Sequence, residues 1–96
     1  MKIYDLNETP DMYEIGEDQY VWLVTDYHNY DYEGDGEAVG LRLDGSLDIY
    51  NLGHCSCYGP FDSCLDTVTQ DSFKENAMTP VNSVDLIHKV LDLLAC

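Results

Sequence analysis

EAVGLRLDGSLDIYNL, residues 37–52, is the most informative stretch of the chain. Apolar and polar residues alternate on both sides of Asp44-Gly45, which is typical of two half-buried strands. Asp-Gly supplies the positive φ values that a two-residue type I′ turn requires, so the stretch predicts a β-hairpin. The apolar residues expected to share faces are Val39, Leu41 and Leu43 on the first strand, and Leu47 and Ile49 on the second, with Leu52 joining them only across a bulge.

Two further elements are expected on either side of this hairpin. Residues 19–27 are rich in aromatic and β-branched side chains and predict a central strand. Residues 83–94 predict a C-terminal helix, with Asn82 as its N-cap and Asp85 in its first turn. Its apolar stripe consists of Val84, Ile87, Val90, Leu91 and Leu94.

The remaining segments carry weaker patterns. Residues 2–6 and 12–15 are candidates for a first pair of strands, although Pro10 would interrupt any single strand across them. Residues 68–77 are polar apart from Phe73 and predict a loop or one short turn. With no internal repeat or linker in view, we expect one domain over residues 1–96.

The charge of the chain disfavours several classes of partner. Nineteen Asp and Glu residues and four Lys and Arg residues give a formal net charge of −15. Residues 1–48 hold thirteen acids and two bases, net −11, and residues 49–96 hold six acids and two bases, net −4. Four scattered cations do not provide the basic surface that nucleic acid or an anionic membrane requires. A hydrophobic content of 45% nevertheless predicts a folded protein.

The expected compartment determines how the cysteines are interpreted. The sequence has no charged, apolar leader and no apolar run of ~18 residues, so we expect a cytosolic protein. In a reducing compartment, four cysteines indicate a metal site more than two disulfides.

A cluster of soft metal ligands occupies GHCSCYGPFDSC, residues 53–64. Zinc prefers thiolate and imidazole ligands, and we expect it to be held by His54, Cys55, Cys57 and Cys64. Such a zinc would be structural, because four local protein ligands fill its tetrahedral coordination and leave no position open for a substrate. The expected fold is therefore α+β: a small antiparallel β-sheet, one C-terminal α-helix and a zinc-stapled cysteine loop.

The sequence leaves two possibilities for the fourth zinc ligand, His54 or a distant residue. Adjacent residues reach one ion only if the backbone between them is strongly turned. If the segment instead continues the preceding strand, Cys55 and Cys57 share a face and His54 points away. The fourth ligand would then be a distant residue, namely His28, His88 or Cys96.

Two other chemical interpretations are weaker. His54 or His28 is a candidate base for a thiol nucleophile, but three crowded cysteines suit a metal better. Residues 31–36, DYEGDG, resemble the start of a calcium loop, but the twelfth position is Arg42 where a bidentate Glu is needed. We interpret this segment as a solvated turn that leads into the hairpin.

Acids interleaved with tyrosines predict a surface for a basic protein partner, because carboxylates complement Lys and Arg while aromatic rings bury area. The first candidate patch consists of Asp31, Glu33, Asp35 and Glu37. The second consists of Glu14, Glu17 and Asp18.

In length, charge and the HCSCYGPFDSC cluster of residues 54–64, the chain resembles the small acidic phage-encoded anti-CRISPR proteins, most closely a zinc-containing inhibitor of type II-A Cas9. The resemblance implies stoichiometric binding of Cas9 in the host bacterial cytoplasm, without enzymatic turnover. An acidic surface would reproduce the field of the phosphates and block loading of target DNA. The alternatives are an inhibitor of another basic nucleic-acid-handling host protein, such as a restriction enzyme or polymerase subunit, and a small zinc- or thiol-dependent enzyme.

Overall fold

The computed structural model has one five-stranded sheet with two helices on one of its faces. The residues that the structure describes are 1–10, 15–16, 18–30, 33–53, 64–75 and 81–95. The strands are β1 (Lys2–Asp5), β2 (Tyr20–Tyr30), β3 (Glu33–Arg42), β4 (Leu47–Asn51) and β5 (Cys64–Val68). The helices are α1 (Gln70–Glu75) and α2 (Val84–Ala95).

The sheet is mixed, which corrects the expected antiparallel sheet. Strands β2 to β5 form an antiparallel meander in chain order, but β1 pairs with β2 in parallel, with Lys2 opposite Trp22. The parallel ladder continues past β1, since the amides of Leu6 and Glu8 donate to the carbonyls of Thr25 and Tyr27. The α+β class and the C-terminal helix are confirmed. The cysteine loop, residues 54–63, and the proposed strand residues 12–14 lie outside the described residues.

The β3–β4 hairpin is confirmed, but its turn differs from the predicted one. The amide of Gly45 donates to the carbonyl of Arg42, and the amide of Arg42 donates to the carbonyl of Ser46. Gly45 has a φ of 93°, whereas Asp44 has no positive φ, so the turn is not type I′. It is a three-residue loop in which glycine alone takes the left-handed conformation, and Leu43 is 72% exposed at its tip.

Both faces of the sheet are buried, which explains why residues 20–27 are almost continuously apolar. The helix face, defined as the side that α1 and α2 cover, has a core of Trp22, Val24, Val39, Leu47, Ile49, Phe73, Val81, Leu86, Ile87 and Val90. The opposite, tyrosine face buries Ile15, Tyr20, Leu23, Tyr27, Ala38, Tyr50 and Leu52. Leu52 thus lies on the opposite side from Leu47 and Ile49.

A bulge in β2 decides which face Tyr20 joins. The register shifts between Tyr20 and Trp22, which leaves Val21 exposed and places Tyr20 on the tyrosine face with Leu23. Gly40 makes room for this ring, because a Cβ at residue 40 would lie 2.8 Å from Cδ1 of Tyr20. Simple alternation along the sequence would have assigned Tyr20 to the wrong face.

A polar network is buried on the tyrosine face around Asp48, which is 3% exposed. Its carboxylate accepts hydrogen bonds from Tyr20 (2.7 Å), Thr67 (2.6 Å) and Nη1 of Arg42 (3.1 Å). The hydroxyls of Tyr20 and Tyr50 are 2.6 Å apart. Since a buried carboxylate is tolerated only when it is paired and hydrogen-bonded, this network joins β2 to β4 and β5 through side chains that reach across β3.

Helix α1 and strand β5 were not predicted. The hydroxyl of Thr69 accepts the amide of Ser72 at 3.1 Å, and the amide of Phe73 donates to the carbonyl of Thr69. One capping residue and one buried apolar side chain therefore support α1. A single apolar residue gives no helical periodicity, so the sequence carries no clear sign of the helix.

The burial of the Tyr20 phenol predicts how the stability of the protein changes at alkaline pH. Burial raises the pKa of Tyr20 strongly, and its hydrogen bonds to Tyr50 and Asp48 raise it further. The stability that the protonated Tyr20 phenol contributes to the folded state is fully present below the unfolded-state pKa of about 10. It is lost as the pH rises further, because the phenol ionises first in the unfolded chain. We expect the free energy of unfolding to fall above pH ~10 by up to about 1.4 kcal/mol per pH unit from this group. Urea unfolding at several pH values measures the slope.

Tyr20→Phe should be less stable at neutral pH but should show a shallower alkaline slope. Tyr4→Phe, a substitution in β1, is the matched control. Equal slopes for wild type and Tyr20→Phe would contradict the role assigned to Tyr20.

Candidate functional site

The end of the sheet at which β2 leads to β3 carries a cluster of acids. The antiparallel register places Asp26 opposite Glu37, His28 opposite Asp35, and Tyr30 opposite Glu33. Asp26 and Glu37 both contact the start of α2 on the helix face, and His28 and Asp35 follow them two residues further along the ladder. We call the end that carries Asp26, Glu33, Asp35 and Glu37 the acidic end of the sheet.

Glu37 holds the N-terminus of α2. Its carboxylate accepts the amide of Asn82 at 2.9 Å and the amide of Ser83 at 2.8 Å. Free amides and the helix dipole favour negative charge at this position. This explains how two like charges, Asp26 and Glu37, are accommodated directly opposite each other, where they would otherwise destabilise the sheet.

The Asp26 carboxylate lies among three side chains from separate parts of the chain and from its own strand. Its carboxylate accepts hydrogen bonds from the hydroxyl of Ser83 and from the side-chain amide of Asn7. Nε2 of His28 lies 3.8 Å from its Oδ1 atom. The carboxylate stands between the serine and the histidine, so His28 is not placed to activate Ser83 as a nucleophile in the way that a serine-histidine pair requires.

Ser83 is the N-cap of α2, which corrects the predicted Asn82. The Ser83 hydroxyl accepts the amide of Leu86 at 3.2 Å, and the Ser83 carbonyl accepts the amide of Ile87. Asn82 precedes the cap and donates its backbone amide to Glu37. The predicted boundary was therefore early by one residue.

Three of the four cations contact groups of their own chain other than the acids of the acidic end, two at Tyr4, which is opposite Val24, and one at Asp48. Lys2 and Lys89 place their Nζ atoms 5.5 Å and 4.5 Å from the centre of the Tyr4 ring. Arg42 pairs with Asp48, which raises the pKa of the guanidinium. Arg42 is opposite Tyr20, ten residues along β2 from Tyr30, or about 33 Å of strand. The fourth cation, Lys74, is on α1, which begins beside the β3–β4 turn.

The structure separates the two predicted acidic patches. In the first, Asp35 is exposed and Glu37 is half-buried against α2, while only the backbone of Glu33 is described and Asp31 lies outside the described residues. In the second, Asp18 is exposed just before β2 begins, far from the acidic end, and Glu14 and Glu17 lie outside the described residues. Asp26 lies opposite Glu37 and joins the first patch, although the predicted patch did not include it.

The loop with the predicted zinc ligands is fixed at both ends. Tyr50 of β4 pairs with Cys64 of β5, so the chain leaves the sheet and returns to it on neighbouring strands. The amide of Leu52 donates to the carbonyl of Gly36, which holds the exit beside β3. His54, Cys55 and Cys57 lie outside the described residues, as does Cys96. Within the described part of the chain, no three His, Cys, Asp or Glu side chains are grouped to hold a metal.

A depression of about 470 Å³ lies between the β3–β4 turn and the start of α1. The residues that line it include neither histidine nor cysteine: Asp44, Gly45, Ser46, Thr69, Gln70 and Asp71. Asp44 is already engaged by Ser46, which donates both its amide and its hydroxyl to the Asp44 carboxylate. These two hydrogen bonds lower the pKa of the Asp44 carboxyl, which makes it a weak base for the Ser46 hydroxyl.

Comparison of the chain with protein-family models, with curated proteins and with solved structures found no match in any of the three. Among the helices formed by the described residues, none is long and apolar enough to cross a membrane.

The bonds from Glu37 predict a local cost when its carboxylate is removed. Glu37→Ala leaves the amides of Asn82 and Ser83 without this acceptor, and we expect the free energy of unfolding to fall by about 1–2 kcal/mol. Asp35→Ala removes an exposed acid two residues away on the same strand and should cost less than ~0.5 kcal/mol. Chemical denaturation of both variants measures the difference. An equal loss would show that Glu37 does not hold α2.

Proposed function

We propose that this protein is a stoichiometric, non-enzymatic inhibitor that binds the basic nucleic-acid channel of Cas9 through its acidic end and blocks loading of target DNA. The observation that carries the proposal is the separation of charge along the sheet. Acids gather where β2 meets β3, while Lys2 and Lys89 are held at Tyr4, opposite Val24 of β2, and Arg42 pairs with Asp48 at the far end of β3.

The separation matters because attraction over distance depends on how charge is distributed. Two of the three cations contact Tyr4 and one pairs with Asp48, so each of these positive charges is engaged by a group other than the acids of the acidic end. A surface of one sign steers an oppositely charged partner and raises the association rate. The natural partner of such a surface is a groove lined by Lys and Arg.

Cas9 is the partner proposed because of the resemblance noted for residues 54–64 and for the size and charge of the chain. Its heteroduplex lies in a positively charged channel that recognises backbone geometry. Carboxylates at the acidic end would compete with phosphates for the same basic side chains. The proposed place of action is accordingly the cytoplasm of the bacterial host.

An enzymatic function receives less support from the described residues. Ser83 and His28 are separated by Asp26, and the hydroxyl of Ser83 also caps α2. Binding without turnover requires only an exposed surface on a stable scaffold, which the sheet and α2 supply.

We further propose a structural zinc in the cysteine loop, with Cys55, Cys57 and Cys64 among its ligands and His54 as the ligand next to them in sequence. Support comes from the soft ligand set and from the pinning of both ends of the loop by β4 and β5. The zinc would stabilise a loop that leaves the sheet near the acidic end.

Charge reversal at the acidic end should weaken inhibition. We expect Glu33→Lys with Asp35→Lys to raise the concentration needed for half-inhibition of DNA cleavage by Cas9 at least about tenfold, and this effect should shrink as added salt screens the charges. The matched control is Asp71→Lys with Glu75→Lys, which changes the net charge equally on α1. Binding of target DNA to guide-loaded Cas9, titrated at two salt concentrations, is the measurement.

Three results decide this proposal. Saturation near one inhibitor per Cas9 supports it, together with a loss of inhibition confined to the β3 variant. Equal losses in both double variants would show that net charge alone acts. If a large molar excess of wild type leaves DNA loading and cleavage unchanged, the Cas9 assignment is wrong, and irreversible inactivation by sub-stoichiometric amounts would point to an enzyme.

The zinc proposal predicts close to one zinc per chain in protein purified without added metal. Because a structural metal couples to folding, Cys57→Ser and Cys64→Ser should lower the melting temperature more than Cys96→Ser does. Elemental analysis and thermal unfolding are the measurements. Less than about a tenth of an equivalent of any transition metal would contradict a bound metal, and equal melting temperatures would contradict this choice of ligands.

A further inference from the structure

We infer that the end of the sheet at which β2 begins is a self-association surface, and that the same surface of a second copy of this chain covers it. The inference is independent of the proposed zinc and of the proposed binding to Cas9. It concerns a part of the sheet that neither proposal uses. We call this part the apolar end and define it by Met1, Ile3, Val21 and Leu43.

Exposed apolar side chains are concentrated at the apolar end. The described residues leave five large apolar side chains exposed, and four of them are Met1, Ile3, Val21 and Leu43. The fifth, Val84, lies at the start of α2. Single exposed apolar residues are ordinary on a protein surface, but a group of them marks a contact surface. Val21 is 48% exposed and Leu43 is 72% exposed, so both are largely available to a partner.

The register of three adjacent strands brings these side chains together. The parallel pairing of β1 with β2 puts Met1 beside Val21. In the antiparallel pair, Arg42 is opposite Tyr20, which directly precedes Val21, and Leu43 directly follows Arg42. Neighbouring strands are about 4.8 Å apart, so the row from Met1 through Val21 to Leu43 spans about 10 Å across the sheet.

The charges around the apolar end favour a second copy as the occupant. Among the described residues, two cations stand here against three acids: Lys2 and Arg42 against Asp18, Asp44 and Asp48. This region is therefore close to neutral, whereas the whole chain has a net charge of −15. Two copies of a strongly acidic chain repel each other least where their surfaces are nearest to neutral.

The arrangement is also self-complementary. A two-fold axis beside Val21, perpendicular to the sheet, would place two copies end to end and exchange the β1 side with the β3 side. Met1 of one copy would then meet Leu43 of the other, and Val21 would meet Val21. Lys2 follows Met1 and Asp44 follows Leu43, so Lys2 of each copy would meet Asp44 of the other. In a symmetric dimer each of these unlike-charge pairs forms twice.

The cation in these pairs is able to change its partner. Lys2 is exposed, and its Nζ atom lies 5.5 Å from the centre of the Tyr4 ring. The flexible stem of lysine allows the ammonium group to leave this ring for a carboxylate. Asp44 is 68% exposed, so its carboxylate is accessible to a second chain.

End-to-end pairing keeps the acidic ends of the two copies apart. Asp35 is opposite His28, which is seven residues along β2 from Val21, or about 23 Å of strand. The two acidic ends would be separated by about twice this distance, far more than the Debye length of about 8 Å at physiological ionic strength. Both acidic ends would stay exposed, so each chain of the dimer would still bind its own Cas9.

Sedimentation equilibrium of the untagged full-length protein tests the inference over concentrations up to about 1 mM. Four apolar side chains supply only part of the roughly 800 Å² per partner that stable complexes bury, so we expect a weak dimer whose population rises with concentration. Val21→Asp and Leu43→Asp should each weaken association at least about tenfold, because each would bury a carboxylate without a partner. Val84→Asp is the matched control and should associate as wild type does.

Reversed charges test the symmetry of the pairing. Lys2→Glu alone and Asp44→Lys alone should each weaken association, because each would place like charges against each other twice. An equimolar mixture of these two variants should associate more strongly than either alone, since unlike charges then meet at both contacts. Circular dichroism should show that all variants remain folded, as expected for exposed positions.

Three results would overturn the inference. The first is a wild-type protein that has the mass of one chain at every concentration. The second is equal weakening by Val84→Asp and Val21→Asp, because added charge alone would then explain the loss. The third is a mixture of Lys2→Glu and Asp44→Lys chains that associates no better than either variant alone. Inhibition of Cas9 and zinc content are measured separately, so their failure leaves the dimer assignment intact.

Discussion

The contact between two carboxylates and the start of α2 is the constraint on which the arrangement of sheet and helix depends. Asp26 and Glu37 are opposed on neighbouring strands, where like charges would repel. The backbone amides of Asn82 and Ser83, with the Ser83 hydroxyl, satisfy them. The same bonds satisfy donors that the helix cannot satisfy itself, so strand and helix each provide what the other lacks.

This contact also organises the surface. Because α2 begins at the acidic end and runs away from it, Lys89 is carried to Tyr4, where it joins Lys2. Arg42 is drawn to the buried Asp48 in the tyrosine face. Acids that are not needed for the fold, Asp35 above all, are then left exposed at the end where the cysteine loop departs. The proposed binding surface thus lies where the chain enters the cysteine loop.

Features that repeat locally were predictable from the sequence, and those that depend on distant partners were not. The β3–β4 hairpin and α2 have alternation or helical periodicity over many residues, so their existence was predicted correctly. The parallel pairing of β1 depends on β2, and a four-residue strand carries no sign of its direction. Glu37 was predicted as part of an acidic patch. Its role as the hydrogen-bond acceptor at the start of α2 involves amides 45 and 46 residues away, which no local pattern reveals.

The central claim is that the acidic end is the surface that a basic partner covers. Carbodiimide labelling of carboxylates, read by mass spectrometry, tests it on the complex with guide-loaded Cas9. Our account predicts that labelling of Glu33 and Asp35 falls in the complex, while labelling of Asp71 and Glu75 on α1 stays as in the free protein. Protection of Asp71 and Glu75 with unchanged labelling of Asp35 would contradict it.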